Sequence, residues 1–184
     1  MPQRLTQENW LQWRAMGGKT LMGVSQMVWQ SPDEMTANRE LFAKVAGETP
    51  LDDFYWRDAI TWNAAVLLSL SVEQTLKAIA IRVNGGCLKT HDLKLLWNDI
   101  RSEDREGIAA KARLIRKRTE GTRLATGACA DGVEEWTEVI EHHKDTFENA
   151  RYNLESQRQG YGLSRNLELW VLALAVSEHA WTLR

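Results

Sequence analysis

Glu73 and Lys77 stand one turn apart inside a long apolar stretch, acid first, which is the favourable order for a helical ion pair. A short way on come His91 and Asp92, in Thr90-His91-Asp92-Leu93. Much later come Arg151, Tyr152 and Glu155, in Phe147-Glu148-Asn149-Ala150-Arg151-Tyr152-Asn153-Leu154-Glu155. An imidazole beside a carboxylate can move protons, and a guanidinium offers a planar donor fork for carboxylate or phosphate. The same residue types also brace helical bundles through ion pairs. On residue types alone that bracing role is the stronger reading. The expectation is that Arg151 shares one side-chain network with Glu73 or Asp92, with Lys77, His91, Tyr152 and Glu155 close by.

Other chemistry finds little support. The chain has no glycine-rich phosphate loop of the Walker type, no His-Glu-x-x-His and no Cys-x-x-Cys. His142 and His143 are adjacent, so on a helix they point about 100° apart and do not converge on one metal. Cys87 and Cys129 are too few for a disulfide framework or a zinc cluster. No metal and no cofactor is expected. The net charge of −2 gives no global attraction to nucleic acid. The N-terminus lacks the apolar run of a secretory signal, and Leu167 to Val176 is too short to span a bilayer. The expectation is a cytoplasmic chain without membrane contact.

The elements that position these residues follow from their punctuation. Pro2, Pro32 and Pro50 are the three prolines, and Ser31 and Thr49 precede the last two. Hydroxyl then proline is the N-cap and first-turn arrangement, so helices begin near 32 and near 50. The first of them should end near Gly47. Before it, Trp10, Trp13, Met16, Leu21, Val24 and Val28 recur at helical spacing, and Gly17-Gly18 predicts a weak point or two shorter pieces. The central helix runs from Leu51 to about Val83 and stops at Asn84-Gly85-Gly86. Leu68, Val72, Thr75, Ile79 and Val83 form its core stripe, extended by Phe54, Ile60, Ala64 and Leu67.

Thr90 can cap a short helix from Asp92 to Ile100. Ser102-Glu103-Asp104 opens another that runs to about Arg118, whose basic end, Arg113, Arg116, Lys117 and Arg118, suits the helix dipole. Thr119 to Gly132 reads as loop. Asp131 and Glu134 then open a helix that runs to about Arg151 or beyond, with Trp136, Val139, Ile140, Phe147 and Leu154 inward. Gly160 and Gly162 break the chain, and Ser164 caps a last helix with Leu167, Trp170, Leu174 and Trp181 near one face. No stretch shows sustained alternation, so no strand is expected. The fold class is all-α: an antiparallel helical bundle over 51–184 with an N-terminal helical extension over 1–50, packed as one globular unit.

Glu73-x-x-x-Lys77-Ala78, Gly85-Gly86, Thr90-His91-Asp92-Leu93-x-x-Leu96 and Phe147-x-x-x-Arg151-Tyr152-x-x-Glu155 stand in this order before a final helix. In that order they resemble the HEPN superfamily over about residues 60 to 180. The resemblance implies a small α-helical bundle that usually dimerises. The nine tryptophans point the same way, because aromatic residues are favoured at interfaces. Many HEPN proteins are metal-independent ribonucleases marked by an Arg followed, after four to six residues, by a His. No His of this chain has an Arg at that upstream distance. The resemblance therefore implies a non-catalytic dimeric binding or regulatory module in a toxin–antitoxin or phage-defence setting. Its partner would be a nucleotidyltransferase-like protein, or RNA or a nucleotide. The alternatives are an atypical ribonuclease using His91 and Arg151, and a bundle with a purely structural role.

Overall fold

The structure, a computed structural model, describes residues 4–5, 10–28, 32–46, 53–119, 133–144, 146 and 166–183. Among them the chain is an all-α bundle. Its helices are α1 (Trp10–Val28), α2 (Pro32–Ala46), α3 (Asp53–Asn84), α4 (Leu93–Asp99), α5 (Ser102–Thr119), α6 (Val133–His143) and α7 (Asn166–Thr182). Pro32 opens α2 as its spacing from Ser31 predicts, and α2 ends one residue before Gly47. At 32 residues, α3 is the longest helix and the axis of the fold.

The expected stripe on α3 is too narrow. Every residue from Ser71 to Ile81 is buried, so the helix is enclosed all round over that span. Leu68, Val72, Thr75 and Ile79 belong to this core, whereas Val83 is only half-buried near the helix end. The segment Asn63–Asn84 is long and apolar enough to cross a membrane by length and composition, yet most of it is buried within the chain's own fold. The side chains of Phe54 and Ile60 lie outside the described residues.

α1 and α3 run antiparallel. Trp10 meets Arg82, Trp13 meets Lys77, and Gly17 meets Ser71 and Thr75 along the shared seam. α7 lies antiparallel to α1, with Trp181 against Arg14 and the Trp170 indole donating to Ser25 Oγ at 3.5 Å. α1 contributes Leu21 and Val24 to the bundle core.

The weak point expected at Gly17-Gly18 does not occur, because α1 is continuous through it. The reason is contact. A Cβ on Gly17 would lie 2.1 Å from Thr75 Oγ1 and 3.1 Å from the Ser71 carbonyl oxygen. Missing that carbon, α1 comes close enough for the Ser71 hydroxyl to donate to the Gly17 carbonyl at 2.9 Å. Gly18 faces open space. Gly17→Ala should therefore destabilise the protein by roughly 1–2 kcal/mol net, the overpacking outweighing the gain in helix propensity. Gly18→Ala should stabilise it by about 0.5–1 kcal/mol. Urea denaturation of the two variants checks the pair, and equal shifts of the same sign would refute the contact argument.

α3 stops where the sequence predicts. Gly85 takes φ +73, a left-handed conformation that only glycine adopts without strain. Cys87–Leu88 then pairs antiparallel with Arg4–Leu5. These two-residue strands differ from the expectation of none, because they are too short for alternation to show in sequence. The Asn84 side-chain amide donates to the Asp99 carbonyl, and Asp99 Oδ2 accepts from Leu88 N at 3.2 Å, so the turn is tied to the end of α4.

α4 and α6 lie side by side through Trp97, whose indole donates to Thr137 Oγ1 at 2.9 Å. Trp136, Val139 and Ile140 face inward as expected, while Phe147 and Leu154 lie outside the described residues. So do residues 120–132, expected as loop, the continuation of the α6 helix to Arg151, and the breaks and cap at Gly160, Gly162 and Ser164.

The residues that share one face of α7 by spacing are not its most buried ones. Leu169, Leu172, Ala173 and Val176 are buried, whereas Trp170 and Leu174 are half-buried and Trp181 is exposed. The helix is apolar on most sides, so residues on more than one of its faces pack against the core, Trp170 and Leu174 among them.

Candidate functional site

Glu73 is almost fully enclosed, with 3% of its side chain exposed. Its position at mid-length in α3 puts a carboxylate where burial without partners would cost several kcal/mol. Two partners meet it. Lys77 Nζ, one turn on, donates to Oε1 at 2.7 Å and is itself buried. His91 Nδ1 lies 3.1 Å from both Oε1 and Oε2. His91 arrives from the turn after Gly85, and 61% of its side chain is exposed. Both oxygens of Glu73 are thus engaged inside the chain. Lys77 Nζ also lies 5.1 Å from the centroid of the Trp13 ring, a cation–π contact from α1.

The next helical positions continue this polar seam. The Thr75 hydroxyl donates to the Ser71 carbonyl at 2.8 Å, and the Thr20 hydroxyl donates to Gln74 Oε1 at 3.1 Å. Gln74 is thus satisfied by α1 and Thr75 by its own helix, in keeping with the cost of leaving buried polar groups bare.

Asp92 does not join the Glu73 cluster. It is the N-cap of α4, with Oδ1 accepting from Leu95 N at 3.0 Å. Thr90, expected as the cap, instead accepts from Asp92 N through Oγ1 at 3.1 Å. A carboxylate at this position takes the orphan amide better than a hydroxyl two residues earlier. Of the residues singled out in sequence, the structure brings Glu73, Lys77 and His91 together. Arg151, Tyr152 and Glu155 lie outside the described residues.

Sequence reasoning missed a second buried carboxylate. Asp104 reads as a helix-start acid, but it is turned inward, with Oδ1 2.9 Å from His179 Nε2 and Oδ2 accepting from Arg101 Nε at 2.9 Å. The hydrogen bond to Asp104, followed by its charge, holds the exposed Arg101 guanidinium above its ordinary pKa. Gly107 makes room for His179, since a Cβ there would lie 2.8 Å from the imidazole Cε1. The pair joins α5 to α7. Ser102, expected as a capping hydroxyl, is the first residue of α5, and the Arg101 carbonyl accepts from Arg105 N at its start. The only sequence signal for Asp104 was an acid beside an Arg, which also fits a solvated helix end.

His142 and His143 diverge as their adjacency predicts. His142 is exposed, His143 is buried with Nδ1 3.2 Å from Thr146 Oγ1, and the rings meet edge-on at 85°. Among the described residues no group of three or more His, Cys, Asp or Glu could hold a metal ion. On α6, Glu141 is held below the usual carboxylate range by hydrogen bonds from Lys144 and then Lys94, which fastens α6 to α4 at the surface.

Chemically, the Glu73 cluster is a brace with one open end. The carboxylate and ammonium are enclosed and fixed, and the imidazole alone reaches solvent. Comparison of the chain with family models, with curated proteins and with solved structures returns no match.

Proposed function

We propose that the chain is a non-catalytic, HEPN-like helical module that works as a homodimer, binding a partner protein or RNA in the cytoplasm. A toxin–antitoxin or phage-defence role fits that reading. The observation that carries it is the engagement of both Glu73 oxygens by Lys77 and His91. That arrangement uses the most functional-looking residues of the chain to fasten α3 to the Thr90–Asp92 turn. The all-α bundle is the scaffold the reading requires.

One observation favours a second reading, an atypical ribonuclease. An exposed imidazole held through Nδ1 by a buried carboxylate is oriented as a general acid or base would be. Two measurements separate the readings. Purified protein with a chelator present is expected to leave total RNA intact over hours. Cleavage that disappears in His91→Ala would overturn the non-catalytic reading. Light scattering at micromolar concentration is expected to give twice the 21.1 kDa chain mass. A mass equal to one chain would remove the dimer.

A further inference from the structure

Where the N-terminal end of α1 meets the C-terminal ends of α3 and α7, two arginines share a tryptophan. The Arg14 guanidinium carbon lies 4.5 Å from the Trp10 ring centroid and 4.0 Å from that of Trp181. The Arg82 guanidinium carbon lies 5.5 Å from the same Trp10 centroid. The two cations are therefore no farther apart than the sum of their distances to that ring. The π faces attract each of them but supply no negative charge. Arg14 Nε and Arg82 Nε are both buried without a hydrogen-bond partner. No carboxylate among the described residues is paired with either arginine. The negative end of the α3 dipole favours a cation at Arg82, but a dipole does not satisfy a bare Nε.

Two guanidiniums that share one ring, each with an unfilled Nε and no carboxylate partner among the described residues, form an arrangement that an anion completes. Each arginine keeps some contact with solvent, although its Nε is enclosed. Two positive charges beside one ring suit a dianionic tetrahedral group better than a singly charged carboxylate, and such an oxyanion accepts well from a guanidinium fork. We infer that Arg14 and Arg82, framed by Trp10 and Trp181, form a binding site for a phosphate group, either free as a small inorganic phosphate or carried on a small ester. The site uses none of the residues of the Glu73 cluster, and the inference does not depend on the HEPN-like reading.

The test is a titration of the full-length protein with sodium pyrophosphate and, separately, glycerol phosphate, against sodium chloride at matched ionic strength. Because Trp10 and Trp181 frame the site, tryptophan fluorescence reads binding directly and thermal melting reads it independently. The wild type is expected to give a saturable fluorescence change and a raised Tm with at least one phosphate. Tighter binding of pyrophosphate assigns an inorganic ligand, and tighter binding of glycerol phosphate assigns an ester. Arg14→Gln and Arg82→Gln should each weaken that binding by roughly ten- to a hundred-fold, the loss expected of a hydrogen bond to a charged group. Should either glutamine variant fail to fold, Arg82→Lys is read instead, because it keeps the charge and loses the fork. Weaker binding in Arg82→Lys supports the site, and unchanged binding overturns it. No saturable change in the wild type at millimolar phosphate, or the same affinity in the folded glutamine variants, also overturns it.

Discussion

Val72→Asp is expected to abolish cooperative folding. Val72 is fully buried, and every residue from Ser71 to Ile81 on the same helix is buried with it. A carboxylate placed there lies in the apolar cluster that includes Leu68, Leu76, Ile79 and Leu172. Removing the valine forfeits about 1.5–3 kcal/mol of apolar burial. The unpaired carboxylate adds several kcal/mol more. Against a typical stability of about 5–15 kcal/mol for a domain, these costs consume most or all of the margin. Val83→Asp is the matched control, since Val83 occupies the same periodic stripe but is half-buried near the end of α3. Circular dichroism should show no cooperative melt for Val72→Asp and a lowered but intact melt for Val83→Asp. A Val72→Asp protein that melts within a few degrees of the wild type would remove α3 from the centre of the fold.

What the sequence makes legible here is punctuation and periodicity. Pro32 marks the start of α2, and Gly85 marks the end of α3 because only glycine turns the chain there at positive φ. Both are local backbone constraints, so they are readable without knowing what packs on what. Contacts between distant segments are different. Gly17 reads as a helix breaker until Thr75 is known to press against it. The most enclosed side of α7 is not readable from spacing, because the helix is apolar nearly all round and only its neighbours decide which side is covered. Asp104 reads as a solvated helix-start acid because its partner His179 lies 75 residues away.

The candidate site divides along the same line. Glu73 and Lys77 are one turn apart, so their pairing is a local property of α3 and can be anticipated from spacing. His91 reaches them because Gly85 turns the chain back, and glycine advertises that turn. Asp92 serves as the cap of α4, and an acid just before a helix can be either a cap or an ion-pair partner, two uses that look identical in sequence. The Arg14–Trp10–Arg82 cluster is only half legible. Trp10 and Arg14 are one turn apart on α1, a spacing that reads locally, but Arg82 comes from α3 and nothing near it in sequence hints at the shared ring.

Glu73→Leu should cost about 3–5 kcal/mol, because it leaves the Lys77 ammonium buried without its carboxylate. The contact with Trp13 remains, but at 5.1 Å it offsets only a fraction of that loss. Lys77→Met should cost a similar amount, since Glu73 then keeps only His91, whose ring is mostly in solvent. The double variant Glu73→Leu/Lys77→Met is expected to recover most of the loss, as replacing both members of a buried ion pair by apolar groups of similar volume is often near neutral. His91→Ala should change stability by no more than about 1 kcal/mol, in line with an exposed partner. Urea denaturation of the four proteins gives a complete cycle with a large coupling between Glu73 and Lys77. Single variants that both stay within about 0.5 kcal/mol of the wild type would refute the buried pair. The same set of proteins separates structure from function. If Glu73 and Lys77 are a brace, the double variant keeps whatever partner binding the wild type has. If His91 is the working group, His91→Ala loses activity at almost unchanged stability, and Glu73→Leu/Lys77→Met loses it as well, because the imidazole no longer has the carboxylate that fixes its ring.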